Sequence, residues 1–189
     1  MRLYLLIIGM VFAALVLSVS DAHGQIAPGE DAPSIIAFAE QGNVDSQYKL
    51  GKAYFYGIGI PLDKTKAVKW INRAADQGHT KSEILMGTFY SLGDGVVPDL
   101  TETIKWYRRA AVKGNSLAQF SLGASYQEAN DIPNNKVISY AWFAISLAQG
   151  NETAKVWKDA FENSLSPEEI IIAQKMALQC LASAYKDCS

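Results

Sequence analysis

The sequence predicts an all-α fold, a right-handed α-solenoid of antiparallel helix pairs that repeats every 36 residues and is capped at both ends. The first observation is recurrence: the stretch 50–78 returns at 86–114 and at 122–150 without insertion. The second is that each copy contains a helix, a turn and another helix. A fixed period of this size is typical of stacked repeats. The residues that recur at this spacing are Tyr54, Tyr90 and Tyr126, then Trp70, Trp106 and Trp142, then Gly78, Gly114 and Gly150.

The first 24 residues are predicted to be a secretory signal peptide. Arg2 precedes an apolar run over residues 3–19, and small or polar residues follow, so cleavage is expected after Ala22 or Gly24. The apolar run of 17 residues is slightly long for a signal core and slightly short for a spanning helix. The protein is therefore expected to be periplasmic or secreted. The alternative is an anchor in the inner membrane formed by an uncleaved N-terminal segment.

A linker and a half-repeat are predicted between this segment and the first full copy. Residues 25–33 contain two prolines and a glycine and are predicted to be extended. Residues 34–43 align 36 positions before the end of the first copy, with Ile35, Phe38 and Ala39 as their apolar positions. A single helix here would act as an N-terminal cap, which repeat arrays need for solubility.

The full copies are predicted at about 44–79, 80–115 and 116–151, and together with the half-repeat they form a repeat region at 34–151. The first helix of each copy carries a glycine, Gly51 in the first, which costs about 1 kcal/mol relative to alanine. A neighbouring backbone is therefore expected to pass close to it. Gly57 and Gly59 supply the positive φ angles of the turn, and Asp63 is placed to cap the second helix.

The second helix of each copy presents a stripe of one large aromatic residue followed by small residues. In the first copy the stripe is Ala67, Trp70, Ile71, Ala74 and Ala75, with the spacing of one helix face. A buried stripe of this kind predicts that truncating Trp70 costs roughly 3–5 kcal/mol of stability.

These motifs resemble the Sel-one-like repeats, relatives of the tetratricopeptide repeats. The pattern L-G-x-x-Y-x-x-G-x-G-[IV]-x-x-D is followed by [AT]-x-x-W-x-x-x-A-A-x-x-G over residues 34–151. The resemblance implies an α-solenoid that works as a scaffold or binding surface. The third copy departs from the pattern: Ala129, Asn130 and Asp131 replace G-x-G, and Ser146 and Leu147 replace the paired alanines. Asn130 and Asp131 are expected to visit the left-handed region in place of glycine.

Residues 152–189 are predicted to form two C-terminal capping helices, and this region resembles the tail of many bacterial members of the family. Ser166, Pro167 and Glu169 form a helix start with a capping box. A disulfide is predicted between Cys180 and Cys188, because export would deliver both to an oxidising compartment. Eight helical residues span about 12 Å, too far for a bridge, so the helix is expected to end near Tyr185. A buried free thiol at Cys180 is the alternative.

No catalytic, metal or cofactor site is predicted. The formal net charge is −2, from 17 basic and 19 acidic residues, so the chain lacks the field of a nucleic-acid binder. His79 takes the position of asparagine in the other copies and is interpreted as a polar residue at a helix junction. Some relatives that carry one disulfide per repeat are credited with binding or cleaving β-lactams, but the three copies here contain no cysteine.

A partner-binding surface is predicted on the first helices, which line the concave side of solenoids of this type. Its residues lie opposite the recurring stripe and differ between copies. The alternative is that the apolar members pack against the neighbouring repeat. The predicted partner-binding residues are Lys49, Lys52, Tyr56, Leu85, Thr88, Phe89, Leu92, Ser121 and Ser125.

Two functions remain open at this point. The first is an exported bacterial scaffold or adaptor that holds a protein or peptide in the concave groove, without enzymatic activity. The alternative is an envelope enzyme or enzyme subunit acting on cell-wall or β-lactam-type substrates. The absence of a catalytic motif in the sequence favours the scaffold. Contact with a membrane is expected only if the N-terminal segment is uncleaved.

Overall fold

The computed structural model describes residues 32–188, and their regular secondary structure is entirely helical. This confirms the predicted all-α repeat fold. The signal-peptide prediction and most of the predicted linker lie outside the described residues. The helices are α1 (Ala32–Glu40), α2 (Val44–Tyr56), α3 (Lys64–Asp76), α4 (Thr80–Leu92), α5 (Leu100–Ala111), α6 (Ser116–Glu128), α7 (Asn135–Ala148), α8 (Thr153–Glu162) and α9 (Pro167–Ala182).

The helices pack as successive pairs. Each copy contributes one pair, α2 with α3, α4 with α5, and α6 with α7, and the second helix of each pair packs on the first helix of the next. At the N-terminal end α1 packs on α2. At the C-terminal end both α8 and α9 pack on α7, so α9 lies across the last copy and does not form a fourth helix pair with α8. The first helix, α1, begins at Ala32, so the last two residues of the predicted linker are helical.

The turn within each of the first two copies is built as the sequence predicts. Gly57 and Gly93 end α2 and α4 with φ angles of 69° and 76°, a conformation that other L-residues adopt only with strain. Asp63 and Asp99 cap α3 and α5 by accepting hydrogen bonds from the backbone N–H groups three residues on.

The turn of the third copy differs from the prediction. Neither Asn130 nor Asp131 adopts a positive φ angle; Asn134 does so instead, with φ 58°. Pro133 fixes its own φ and disfavours helical geometry in the residue before it, so the chain reverses after the proline. As a result α7 begins at Asn135.

The recurring glycine of each first helix makes room for a large side chain from the second helix. A β-carbon added to Gly51 would lie 2.6 Å from Ile71, and one added to Gly87 would lie 2.7 Å from Tyr107. Real β-carbons do not approach other atoms this closely, so any other residue at these positions would force the Ile71 or Tyr107 side chain to move. The close neighbour is therefore mainly a side chain, whereas the sequence predicted a backbone.

The core grows from the N-terminal to the C-terminal end of the array. The first cluster of buried residues contains only Ile35, Ala39 and Leu50. A second cluster around Phe89 and Trp106 joins the first and second copies. By far the largest cluster fills the space between the third copy and the terminal helices.

The C-terminal cap has both of its predicted features. Ser166 accepts a hydrogen bond from the backbone of Glu169, and the Glu169 carboxylate accepts one from the backbone of Ser166, which completes the capping box. Cys180 and Cys188 are joined by a disulfide, with their α-carbons 4.4 Å apart. The helix ends at Ala182, three residues earlier than predicted, because the chain needs those residues to turn back.

Candidate partner-binding face

The three first helices, α2, α4 and α6, expose equivalent positions on one side, here called the first-helix face. Of the predicted partner-binding residues, Lys49, Tyr56 and Leu92 are exposed, and Tyr56 and Leu92 keep 43% and 48% of their surface. Four more are partly buried on the same face: Lys52, Leu85, Thr88 and Ser121. The remaining two, Phe89 and Ser125, are buried.

Phe89 does not belong to this face, so its placement there was wrong. Its side chain is 0% exposed, and its ring lies 5.1 Å from that of Phe55, centroid to centroid. It packs at the junction of the first and second copies, beside Ile71 and Trp106. Ser125, at the same repeat position, is 7% exposed and donates its hydroxyl to the carbonyl of Ser121. This position varies between copies because its neighbours vary, and not because it meets a partner.

The hydroxyl groups in the middle of the face form hydrogen bonds within the protein. The Thr88 hydroxyl lies 3.0 Å from that of Tyr107 and also donates to the carbonyl of Ile84. Ser121 hydrogen-bonds to Tyr107 as well, and burial raises the pKa of Tyr107 to about 12. Thr88 and Ser121 therefore help to fix Tyr107 between two helices.

An aromatic and apolar strip remains accessible on α2 and α4. Tyr56 and Leu92 occupy the same repeat position on adjacent helices. The ring of Phe55 packs edge-on against the ring of Tyr56, and their centroids are 5.0 Å apart. Burial, followed by the charge of Asp94, raises the pKa of Tyr56 and keeps the phenol neutral. The two helices therefore expose a large side chain at the same repeat position, above the packed rings of Phe55 and Phe89.

The two ends of the face differ in charge. At the first copy, the ammonium group of Lys52 lies 5.5 Å from the ring centroid of Tyr48, and Lys81 follows at the start of α4. Burial, followed by the charge of Lys81, lowers the pKa of Lys52. At the third copy, Glu128 ends α6, and burial raises the pKa of its carboxyl group. Tyr48 and Lys81 could not be assigned to this face from the sequence, because their positions depend on how the first two copies stack.

A serine, a histidine and an aspartate meet at the junction of α2 and α4, but they do not form a nucleophilic site. The Nδ1 atom of His79 lies 2.8 Å from the Ser82 hydroxyl, and its Nε2 atom lies 3.7 Å from a carboxylate oxygen of Asp45. Ser82 is 0% exposed, so no substrate can reach its oxygen. The ring of His79 also packs 4.8 Å from that of Tyr48, which fits the predicted role at a helix junction.

A second cluster of charges lies at the junction of the first and second copies. In the first and third copies, the amides of Gln47 and Gln119 donate to the carbonyls of Ala39 and Ala111. The middle copy has Glu83 at this position, and a carboxylate has no hydrogen to donate.

Two cations replace the missing amide donor. Arg109 donates to the carbonyl of Ala75 at 2.8 Å and to the carboxylate of Glu83 at 3.0 Å. Lys113 binds the other oxygen of that carboxylate at 2.7 Å. Glu83 is 1% exposed, so this cluster is a structural tie between copies and not a site open to ligands.

Neither a metal-binding cluster nor a membrane-spanning helix is found among the described residues. Within 32–188, no group of three histidine, cysteine or acidic side chains is placed to bind a metal ion. In the same range, no helix has the length and apolar character needed to cross a bilayer.

Helix pairs stacked at a 36-residue period, with side chains of varied chemistry on one face, define an α-solenoid of the helical-repeat class. The Sel1 repeat model matches residues 44–79, 80–115 and 116–151, so the chain belongs to the Sel1 repeat family. Sel1 repeats generally mediate interactions between proteins. None of the curated proteins matches the chain.

Two solved structures are similar to this fold. A Sel1 repeat protein from Oxalobacter formigenes is 32% identical, with a TM-score of 0.60 over 67% of this chain and 95% of that one. The other is c5321, a protective antigen present in uropathogenic Escherichia coli strains that displays an SLR fold. It is 23% identical with a TM-score of 0.59, and the match covers 85% of this chain and 44% of c5321, so it supports the fold alone.

Proposed function

We propose that this protein is an exported scaffold. Its first-helix face would form a concave groove that binds a protein or peptide segment. The observation that carries the proposal is the pairing of Tyr56 and Leu92, two large exposed side chains at one repeat position on neighbouring helices. Contiguous apolar side chains on a surface more often mark an interaction site than single ones do. Membership of a family of interaction scaffolds supports the same role.

Export is supported by two independent features. The N-terminal sequence has the pattern of a secretory signal, and the two cysteines are joined in the fold. Disulfides persist in oxidising compartments such as the periplasm. Both features fit a periplasmic or secreted protein, and the anchored alternative differs only in whether the N-terminal segment is removed.

The alternative, an enzyme acting on cell-wall or β-lactam-type substrates, has no specific observation in its favour. Its best candidate nucleophile, Ser82, is buried. Assays of the purified protein on peptidoglycan and on a chromogenic β-lactam separate the two functions, and turnover that survives purification would favour the enzyme.

Site-specific photocrosslinking tests the scaffold directly. A benzophenone amino acid is placed at Leu92 on the first-helix face, or at Leu178 on α9 as a control that is exposed even more, at 68%. We expect a discrete protein adduct at Leu92 and none at Leu178. The adduct is identified by mass spectrometry, and the partner is then purified and titrated against this protein by calorimetry.

The calorimetric titration is repeated with Leu92→Glu. Because Leu92 is half exposed, this variant should keep its stability within about 0.5 kcal/mol. Binding should weaken at least about tenfold, the equivalent of 1.4 kcal/mol. Equal crosslinking at both positions, or unchanged affinity of Leu92→Glu, would contradict binding on this face.

A further inference from the structure

The chemistry of the first-helix face changes from one end to the other. The first-copy end carries Lys52 on α2, and its pKa is lowered in part by the charge of Lys81, which lies at the start of α4 in the second copy. The middle is the strip formed by Tyr56 and Leu92. The third-copy end carries Glu128, the last residue of α6. A face that is cationic at one end and acidic at the other has a direction, and it can select a partner that is charged in the opposite order.

The cationic end lacks a full set of counter-charges. Neither Lys52 nor Lys81 forms a salt bridge with any residue in 32–188, and the charge of Lys81, after burial, lowers the pKa of Lys52. The nearby acid is Asp45, one turn before Lys49 on α2. Its carboxylate is directed to the ring of His79, and its side chain is 83% exposed. One carboxylate does not neutralise this group of lysines, and an added anion would reduce the repulsion between them.

The acidic end of the face consists of Glu128, which could pair with a cationic group of a partner. Glu128 is exposed and makes no salt bridge within the described chain, although desolvation raises the pKa of its carboxyl group. A cationic group placed beside it would favour the ionised form.

We propose that the groove binds an extended peptide segment with an acidic residue at Lys52 and Lys81, a large apolar residue on Tyr56 and Leu92, and a basic residue at Glu128. This inference rests on the proposed function, since it names the partner of the same face. Tyr56, Leu92 and Glu128 occupy one repeat position on α2, α4 and α6, and Lys52 lies one turn before Tyr56, about 6 Å along the helix axis. A peptide that crosses the three helices in this order would therefore place its acidic residue at the first copy, its apolar residue in the middle and its basic residue at the third copy.

Selection from a randomised seven-residue peptide library tests the proposal with the purified protein as bait. The expected consensus is an acidic residue, then a large apolar residue, then a basic residue, in this order along the peptide. One selected peptide, labelled with a fluorophore, is then titrated by fluorescence anisotropy. Its affinity should fall as the ionic strength rises from about 0.05 M to about 0.5 M, because part of the contact is electrostatic.

A charge reversal tests which lysines are responsible. The double variant Lys52→Glu with Lys81→Glu should bind the selected peptide at least about tenfold more weakly than the unmodified protein does. It should bind a second peptide, in which the acidic residue is changed to lysine, more tightly than the unmodified protein does. The matched control, Lys69→Glu with Lys175→Glu, makes the same change of charge at exposed positions off the face and should bind within about twofold of the unmodified protein. Circular dichroism and thermal unfolding establish that each variant folds. If the double variant unfolds, Lys81→Glu alone takes its place, since Lys81 is exposed.

The possible outcomes separate this inference from the proposed function. Selected peptides that lack an acidic residue, or that bind the double variant equally well, would overturn the charge order while leaving peptide binding intact. A library that yields no enriched peptide, together with no crosslink at Leu92, would overturn both.

Discussion

The first and third copies carry the same marker residues, but their tryptophans lie in very different surroundings. Trp142 is 2% exposed and belongs to the largest core cluster. Trp70 is partly exposed, and the guanidinium group of Arg73 lies over it, 4.5 Å from the ring centroid. The difference arises from the caps: α1 is a single helix that packs on the first copy, whereas both α8 and α9 pack on the helix that carries Trp142. The repeat position fixes which way a side chain points, and the adjacent helix fixes how deeply it is buried.

The same contrast appears on the outer side of the second helices. A shallow depression on α5 is lined by Ile104, Lys105 and Arg108, among others, and it is open. The corresponding face of α7 carries smaller and more apolar residues, such as Ala141, and is buried under the terminal helices. The sequence of the third copy thus departs from the repeat where the cap covers it.

The largest expected effect comes from charging the side chain that joins the first copy to the second. Phe89→Glu places a carboxylate in a site with 0% exposure, and it should cost more than about 4 kcal/mol of unfolding free energy. The matched surface variant, Leu92→Glu, should change stability by less than about 0.5 kcal/mol. Urea denaturation followed by circular dichroism compares the two variants. A small effect of Phe89→Glu would show that this ring is accessible after all.

The tryptophans give the next largest effect and test the comparison directly. Trp142→Ala should cost roughly 3–5 kcal/mol, the usual loss for a fully buried aromatic residue. Trp70→Ala should cost less, because water already reaches part of the ring, and this corrects the larger value expected from the sequence. Chemical denaturation of both variants measures the difference, with hydrogen exchange to show which copy opens. Equal losses would mean that α1 protects the first copy as well as the longer cap protects the third.

The disulfide should have a smaller effect, confined to the C-terminal end. On the loop-closure estimate, a bridge across eight residues contributes at most about 2.5 kcal/mol. Reduction should therefore release the end of α9 and leave the first copy unchanged, as monitored by hydrogen exchange with and without reductant. Mass spectrometry of the exported protein, alkylated without prior reduction, should find no labelled thiol. Two labelled cysteines per chain would show that the bridge does not form.

The smallest expected effect on stability comes from His79, which precedes the first helix of the middle copy. Asn43 and Asn115 cap α2 and α6 with their side chains, whereas His79 makes no such bond to α4. His79→Asn should therefore stabilise the protein by about 1 kcal/mol. The measurement is the midpoint of thermal unfolding, and a lower midpoint would show that the contacts of His79 with Tyr48 and Ser82 outweigh a cap.

The same variant should alter the pH dependence of stability. Burial lowers the pKa of His79, opposed in part by the charge of Asp45. Between that lowered pKa and the ordinary value of about 6.5, the unfolded chain binds more protons than the folded one. The contribution of the neutral His79 side chain to the free energy of unfolding is therefore fully present above about pH 6.5. It decreases as the pH falls below that value. His79→Asn should remove that decrease, which denaturation curves at pH values on either side of 6.5 can measure.

Much of the candidate face could be assigned from the sequence, since helical spacing alone places Lys49, Tyr56 and Leu92 on the exposed side of their helices. Phe89 could not be assigned in this way. It follows Thr88 on the same helix, about 100° further round the axis, where Phe55, Ile71 and Trp106 cover its ring. The Phe55–Phe89 contact that decides this joins residues from two copies. Periodicity within one copy carries no information about such a contact.

The architecture follows from sequence features that recur every 36 residues. Turn glycines and capping aspartates act over a few positions and specify the helix pairs of the first two copies, and the third copy keeps Gly123, Trp142 and Gly150 at the same spacing. The tertiary structure alone decided the depth of burial, the placement of α9 on α7, and the exchange of the glutamine amides for the Glu83, Arg109 and Lys113 cluster. Each of these features depends on atoms that the fold brings together from different helices. The free energy of burying an apolar or polar group depends on which atoms surround it and on how far water is excluded, and not on its position along the chain.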